Sequence, residues 1–127
     1  MSAFFMTMAA IFGGLSVAAG AFASHALRSQ LSERALEIFA TGTQYQMYHA
    51  LGLLLVALLL LSDPLVGNGA LQAAGYAFIT GTFLFSGSLY ALSVTGIRWL
   101  GAITPIGGVA FLVGWICLLL AASSLRT

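Results

Sequence analysis

Two histidines, His25 and His49, are the residues in this sequence that most need a chemical explanation, because each lies in or beside a long apolar stretch. Histidine can ligate a metal or haem, or relay protons. No third ligand of an ordinary type lies nearby in the sequence, and no acidic residue lies within the apolar stretches to complete a proton path. We therefore expect neither a metal site nor a cofactor.

Other polar residues fall near the same end of the predicted helices as the histidines and could join them in a ligand site. One interpretation is a pocket for a lipid headgroup or a small ligand. The other, which we favour, is that these side chains bond to one another and hold the helices together. The candidate ligand-binding residues are His25, Gln44, Gln46, His49, Ser86, Ser88, Tyr90 and Thr104.

No arrangement typical of an enzyme accompanies this set. The sequence contains no Gly-x-Ser-x-Gly elbow, no Cys-x-x-Cys pair and no Walker loop, and no apolar stretch holds two carboxylates. Ser86 or Ser88 beside His49 would supply a nucleophile and a base, but no acid is available to orient the base. We expect no catalytic residues and no enzymatic activity.

Composition identifies the elements that must position these side chains. The chain has 127 residues, of which 61% are hydrophobic and 6% charged, whereas soluble domains are about 25% charged. Such a chain cannot cover a water-facing surface, so the composition predicts an integral membrane protein in a lipid bilayer. A net charge of +1 with no adjacent basic residues argues against nucleic-acid binding.

The apolar stretches predict an all-α membrane protein, a bundle of four transmembrane helices that forms a single domain over residues 1–127. A helix needs about 20 residues to cross the hydrocarbon core, which places the spans at about 3–24, 43–62, 70–94 and 104–122. Between spans one and two, a short amphipathic helix is predicted at 33–41, capped by Ser32 and ended by Gly42. It could lie on the membrane surface or pack on the bundle. A turn cluster at 62–69 separates spans two and three.

The arginines predict the orientation of the bundle. Arg28, Arg34 and Arg98 fall on one side, whereas Arg126 lies with the termini. The positive-inside rule makes the first side cytoplasmic, which puts the termini on the opposite side. Because no basic segment precedes the first span, we expect it to be retained instead of being cleaved as a signal peptide.

Small residues predict how the protein acts. Ala10, Gly14 and Ala18 repeat at four-residue spacing, and small residues let helices approach closely in lipid. We therefore expect an accessory or scaffold subunit that acts through helix–helix contacts, with a second copy or a larger membrane complex as partner. The alternative is a small carrier or binding protein that uses the pocket around His25 and His49. Trp115 is expected near the interface on the side of the termini.

Four segments resemble the signatures of a family of small membrane proteins, domain of unknown function 423, also called UPF0382, with the transmembrane protein 256 group as its eukaryotic relatives. The resemblance implies a four-span bundle in the bacterial inner membrane, with the termini then on the periplasmic side. The family's function is unassigned, so no functional residue carries over. Thr43 stands where an aliphatic residue is expected. The segments are GAFASHAL (20–27), TGTQYQMYHAL (41–51), FSGSLY (85–90) and GAITPIGG (101–108).

Overall fold

The structure is a computed structural model that describes residues 1–62 and 68–124, and within those ranges it is helical, without strands. Four helices are long and apolar enough to cross a membrane, which confirms the predicted four-span fold class. We call them spans 1 to 4. They are Ser2–Leu27, Glu33–Ser62, Gly69–Thr95 and Arg98–Ser123. Most of the predicted turn at 62–69, and Arg126, lie outside the described residues.

Span 1 is an α-helix over Ser2–Phe22 that widens into a π-helical turn over Ala23–Leu27. A short turn then leads into span 2. The backbone N–H of Ala35 donates to Ser32 Oγ at 3.1 Å, so Ser32 caps the helix as predicted.

Span 2 differs from the prediction, because the expected amphipathic helix at 33–41 and the membrane span form one helix, Glu33–Ser62. Gly42 does not end it. A Cβ on Gly42 would lie 2.8 Å from the ring of Tyr90, so this glycine makes room for a neighbouring span. Thirty residues extend about 45 Å, and the charged first turns are therefore long enough to project beyond a hydrocarbon core of about 30 Å.

Span 3 changes its helical form in the middle. The α-helix Asn68–Gly81 is followed by a π-helical turn, Thr82–Ser86, and by a second α-helix, Gly87–Thr95. Gly96 ends it in the left-handed conformation, with φ 70°. A 3₁₀ turn over Arg98–Ala102 leads into the last helix, Thr104–Ser123.

Sequential spans pack against one another, span 1 on span 2, span 2 on span 3 and span 3 on span 4. The apolar core includes the fully buried side chains of Phe5, Leu53, Val56 and Phe78. Spans 3 and 4 approach each other closely at Gly107, where a Cβ would collide with the backbone of Phe85. This contact holds the first half of span 4 against the π-helical turn of span 3.

Candidate functional site

His49 lies inside the bundle, 5% exposed, and both of its ring nitrogens are engaged. Nδ1 lies 2.6 Å from the carbonyl oxygen of Tyr45, and the indole N–H of Trp115 donates to Nε2 at 3.0 Å. Because an indole nitrogen can only donate, Nε2 must accept. Nδ1 then carries the proton and donates to the carbonyl. The contacts therefore assign a neutral imidazole in one tautomer.

The ring of His49 is also held by stacking. It lies parallel to the ring of Phe111, with the centroids 3.5 Å apart and the planes 8° apart. Phe111 is itself buried. His49 thus joins spans 2 and 4 with its ring face as well as with its nitrogen atoms, and it could bind a metal only by giving up one of these hydrogen bonds.

A second polar group links spans 1, 2 and 3 through Gln46. Its Nε2 donates to the carbonyl oxygen of Phe12 at 2.8 Å. Its Oε1 accepts from the hydroxyl of Tyr90 at 2.6 Å. The side chain is 5% exposed, so one amide satisfies groups from two neighbouring helices away from water.

Hydroxyl groups make three further links between spans. Ser86 Oγ donates to the carbonyl oxygen of Gly42 at 2.7 Å. Ser88 Oγ and Thr104 Oγ1 lie 2.6 Å apart. Ser16, which was not among the predicted site residues, donates to the carbonyl oxygen of Thr43 at 2.6 Å. Within the described residues, no buried side-chain nitrogen or oxygen lacks a partner.

Two members of the predicted set do not join these groups. His25 and Gln44 are exposed, and neither side chain makes a hydrogen bond to a residue that the structure describes. Gln44 is two positions from Gln46, which places the two about 200° apart around the helix. The eight residues therefore do not enclose one polar pocket. Four form two pairs between helices, Gln46 with Tyr90 and Ser88 with Thr104, and His49 and Ser86 bond to residues outside the set, while His25 and Gln44 are exposed.

Trp115 is the partner that sequence reasoning missed. The sequence placed it near an interface on the side of the termini, but the structure brings it to His49, deep in span 2. The two residues are 66 positions apart, and no local spacing indicates the contact. Nor do the described residues contain a group of three or more histidine, cysteine, aspartate or glutamate side chains placed to hold a metal ion.

Comparison with known proteins finds similarity to one family of membrane proteins. A family model described as "Protein of unknown function (DUF423)" matches residues 19–108. The chain is 50% identical over 118 residues to the UPF0382 membrane protein YwdK of Bacillus subtilis, which covers 93% of this chain and 94% of that one. A UPF0382 membrane protein of Haemophilus influenzae is 43% identical over 114 residues, with 90% of this chain and 89% of that one covered. No solved structure matches the chain.

Proposed function

We propose that this chain, which belongs to the DUF423 family of membrane proteins, is a non-enzymatic accessory or scaffold subunit that acts through helix–helix contacts. The observation that carries this proposal is an exposed stripe of small residues on span 1. Ala10, Gly14 and Ala18 are exposed, whereas Ala9 and Phe12 on the other side are buried against the bundle.

No other described part of the chain packs against this stripe at Gly14. A Cβ built on Gly14 has no atom within 4 Å. In lipid there is no hydrophobic driving force between apolar helices. Small residues favour their association because they let the backbones approach and pack closely. A stripe of this kind on the outside of the bundle suits contact with a helix of another protein or of a second copy.

The polar residues also favour a structural role for the protein over ligand binding. Gln46, His49 and Ser86 bond to neighbouring spans, which leaves few groups free for a ligand. A carrier with a pocket around both histidines has less support, because His25 is exposed while His49 is buried.

The proposed location is the cytoplasmic membrane with both termini on the periplasmic side. Arg28, Arg34 and Arg98 are exposed and lie in or beside the two connections at one end of the bundle. Positively charged connections favour the cytoplasmic side. Reporter fusions at the two termini test this orientation, and a cytoplasmic signal from either terminus would reverse it.

The contact itself is tested by Gly14→Leu. The wild-type protein and the variant are purified in a mild detergent, and their masses are measured by light scattering. We expect the wild type to carry a second copy or another membrane protein, and the variant to lose it because leucine blocks the stripe.

Gly87→Leu is the matched control, since a Cβ there also has no atom within 4 Å but lies on span 3. It should keep the wild-type mass. A wild-type protein that is a lone monomer with nothing bound would argue against the proposal, as would equal losses in the two variants.

A further inference from the structure

An aromatic groove of about 440 Å³ opens on the side of the bundle. Its walls come from spans 2 and 4, whose side chains meet there, and Phe85 from the π-helical turn of span 3 also lines it. A volume of this size falls within the range of small-molecule sites. The rings that line the groove are Tyr45, Tyr48, His49, Phe85, Phe111 and Trp115.

Four of these rings, those of Tyr45, His49, Phe85 and Phe111, pack on one another without a ligand. His49 stacks on Phe111 at 3.5 Å and is fixed by its two hydrogen bonds. The ring centroid of Phe85 lies 4.7 Å from that of Tyr45 and 5.4 Å from that of Phe111. A preformed wall of this kind loses little conformational freedom on binding a flat molecule.

Two hydroxyl groups supply the free hydrogen-bonding capacity. Tyr45 and Tyr48 are 39% and 54% exposed, and their hydroxyls bond to no residue in the described part of the chain. The nitrogen atoms of His49 and Trp115, in contrast, are already bonded to protein partners. None of the lining side chains is charged, so nothing in the groove neutralises a charged headgroup.

We propose that the aromatic groove binds the planar ring of a lipid-soluble quinone that enters sideways from the bilayer. The ring packs against the aromatic wall, and a quinone carbonyl oxygen accepts from the hydroxyl of Tyr45 or Tyr48. Aromatic rings pack on flat π-systems with an interaction that saturated chains lack, and phenolic donors match an uncharged carbonyl. The proposal goes beyond the scaffold role and does not depend on it, since the small-residue stripe lies on span 1.

Trp115 provides the measurement, because it lies in the groove and only one other tryptophan is present, Trp99. In a Trp99→Phe background, 2-methyl-1,4-naphthoquinone is titrated into the purified full chain in detergent micelles. We expect saturable quenching of Trp115 fluorescence. Quenching that only rises linearly with probe concentration would mean partition into the micelle and would overturn the proposal.

Gly108→Leu tests the groove directly. A Cβ on Gly108 meets only the ring of Phe85, at 3.9 Å, so the longer side chain fills the groove without a backbone clash. We expect the affinity to fall about tenfold or more. Gly87→Leu, which lies outside the groove, should leave it unchanged.

Tyr45→Phe with Tyr48→Phe keeps both rings and removes both hydroxyls, so it remains informative if Gly108→Leu fails to fold. Loss of a hydrogen bond should weaken binding about fivefold. Unchanged affinity would overturn the assigned contact. A saturated-chain phospholipid that displaces the probe as effectively as a second quinone would show that the groove is an acyl-chain site instead.

Discussion

Two regions of the molecule contain glycine and histidine in different surroundings. One is the contact of span 4 with spans 2 and 3, where these residues are packed, and the other is the outward face of span 1, where they are exposed. At the first, Gly107 fits against the backbone of Phe85, and His49 is stacked and bonded on every polar atom. On the outward face of span 1, a Cβ on Gly14 would meet no atom within 4 Å, and His25 is exposed. A glycine or a histidine in a membrane helix therefore acquires its role from the neighbouring span, and the residue type alone does not define it.

Gly107→Ala should have the largest effect of the substitutions in these two regions. A Cβ there would lie 2.7 Å from the Cα atom of Phe85, and a backbone cannot move aside as a side chain can. We expect a loss of about 3 kcal/mol in the free energy of unfolding, measured by unfolding in detergent. Gly108→Ala is the neighbouring control, since its Cβ makes ordinary contact at 3.9 Å. Equal losses in the two variants would contradict the packing described.

Replacing each of the two histidines by alanine should lower the free energy of unfolding by different amounts. His49→Ala removes a stacked ring and leaves the indole N–H of Trp115 without its acceptor. We expect a loss of about 2 kcal/mol. His25→Ala should stay within about 0.5 kcal/mol of the wild type, as exposed substitutions usually do. A larger effect at His25 than at His49 would reverse the comparison.

The hydrogen bond between Tyr90 and Gln46 should have a smaller effect. Tyr90→Phe removes the hydroxyl that donates to Gln46 Oε1. Hydrogen bonds between membrane helices contribute about 1 kcal/mol. A double-mutant cycle with Gln46→Leu, read from unfolding in detergent, should give a coupling of that size. Additive effects would mean that the two side chains do not stabilise each other.

The smallest expected effect is at Gly14→Ala. Open space around the added Cβ and the higher helix propensity of alanine predict a change within about 0.5 kcal/mol in the unfolding of the isolated chain. A loss comparable to that of Gly107→Ala would show that the outer face of span 1 is packed within the chain itself.

The architecture could be predicted because continuous apolar stretches between charged residues reflect the thickness of the bilayer directly. The continuity of span 2 could not. Gly42 has the local appearance of a helix end, and the reason for its presence is the ring of Tyr90, which is distant in the sequence.

The candidate site was predicted in part. Its polar residue types were a sound guide to contacts between helices, and Gln46, Ser86 and Tyr90 take part in them. The opposite positions of Gln44 and Gln46 follow from helical geometry and could have been inferred. The pairing of His49 with Trp115 could not, since it depends on how spans 2 and 4 sit on span 3.

The π-helical turn at Thr82–Ser86 determines the rotational position, around the helix axis, of the residues that follow it in span 3. One residue more or fewer rotates the downstream helix by about 100°. Ser88 and Tyr90 meet Thr104 and Gln46 only in the present phase. A regular α-helix with the same number of residues in place of this π-helical turn would thus point both hydroxyls away from these partners without altering any of the four side chains, so the extra residue of the turn sets the direction in which the second half of span 3 faces.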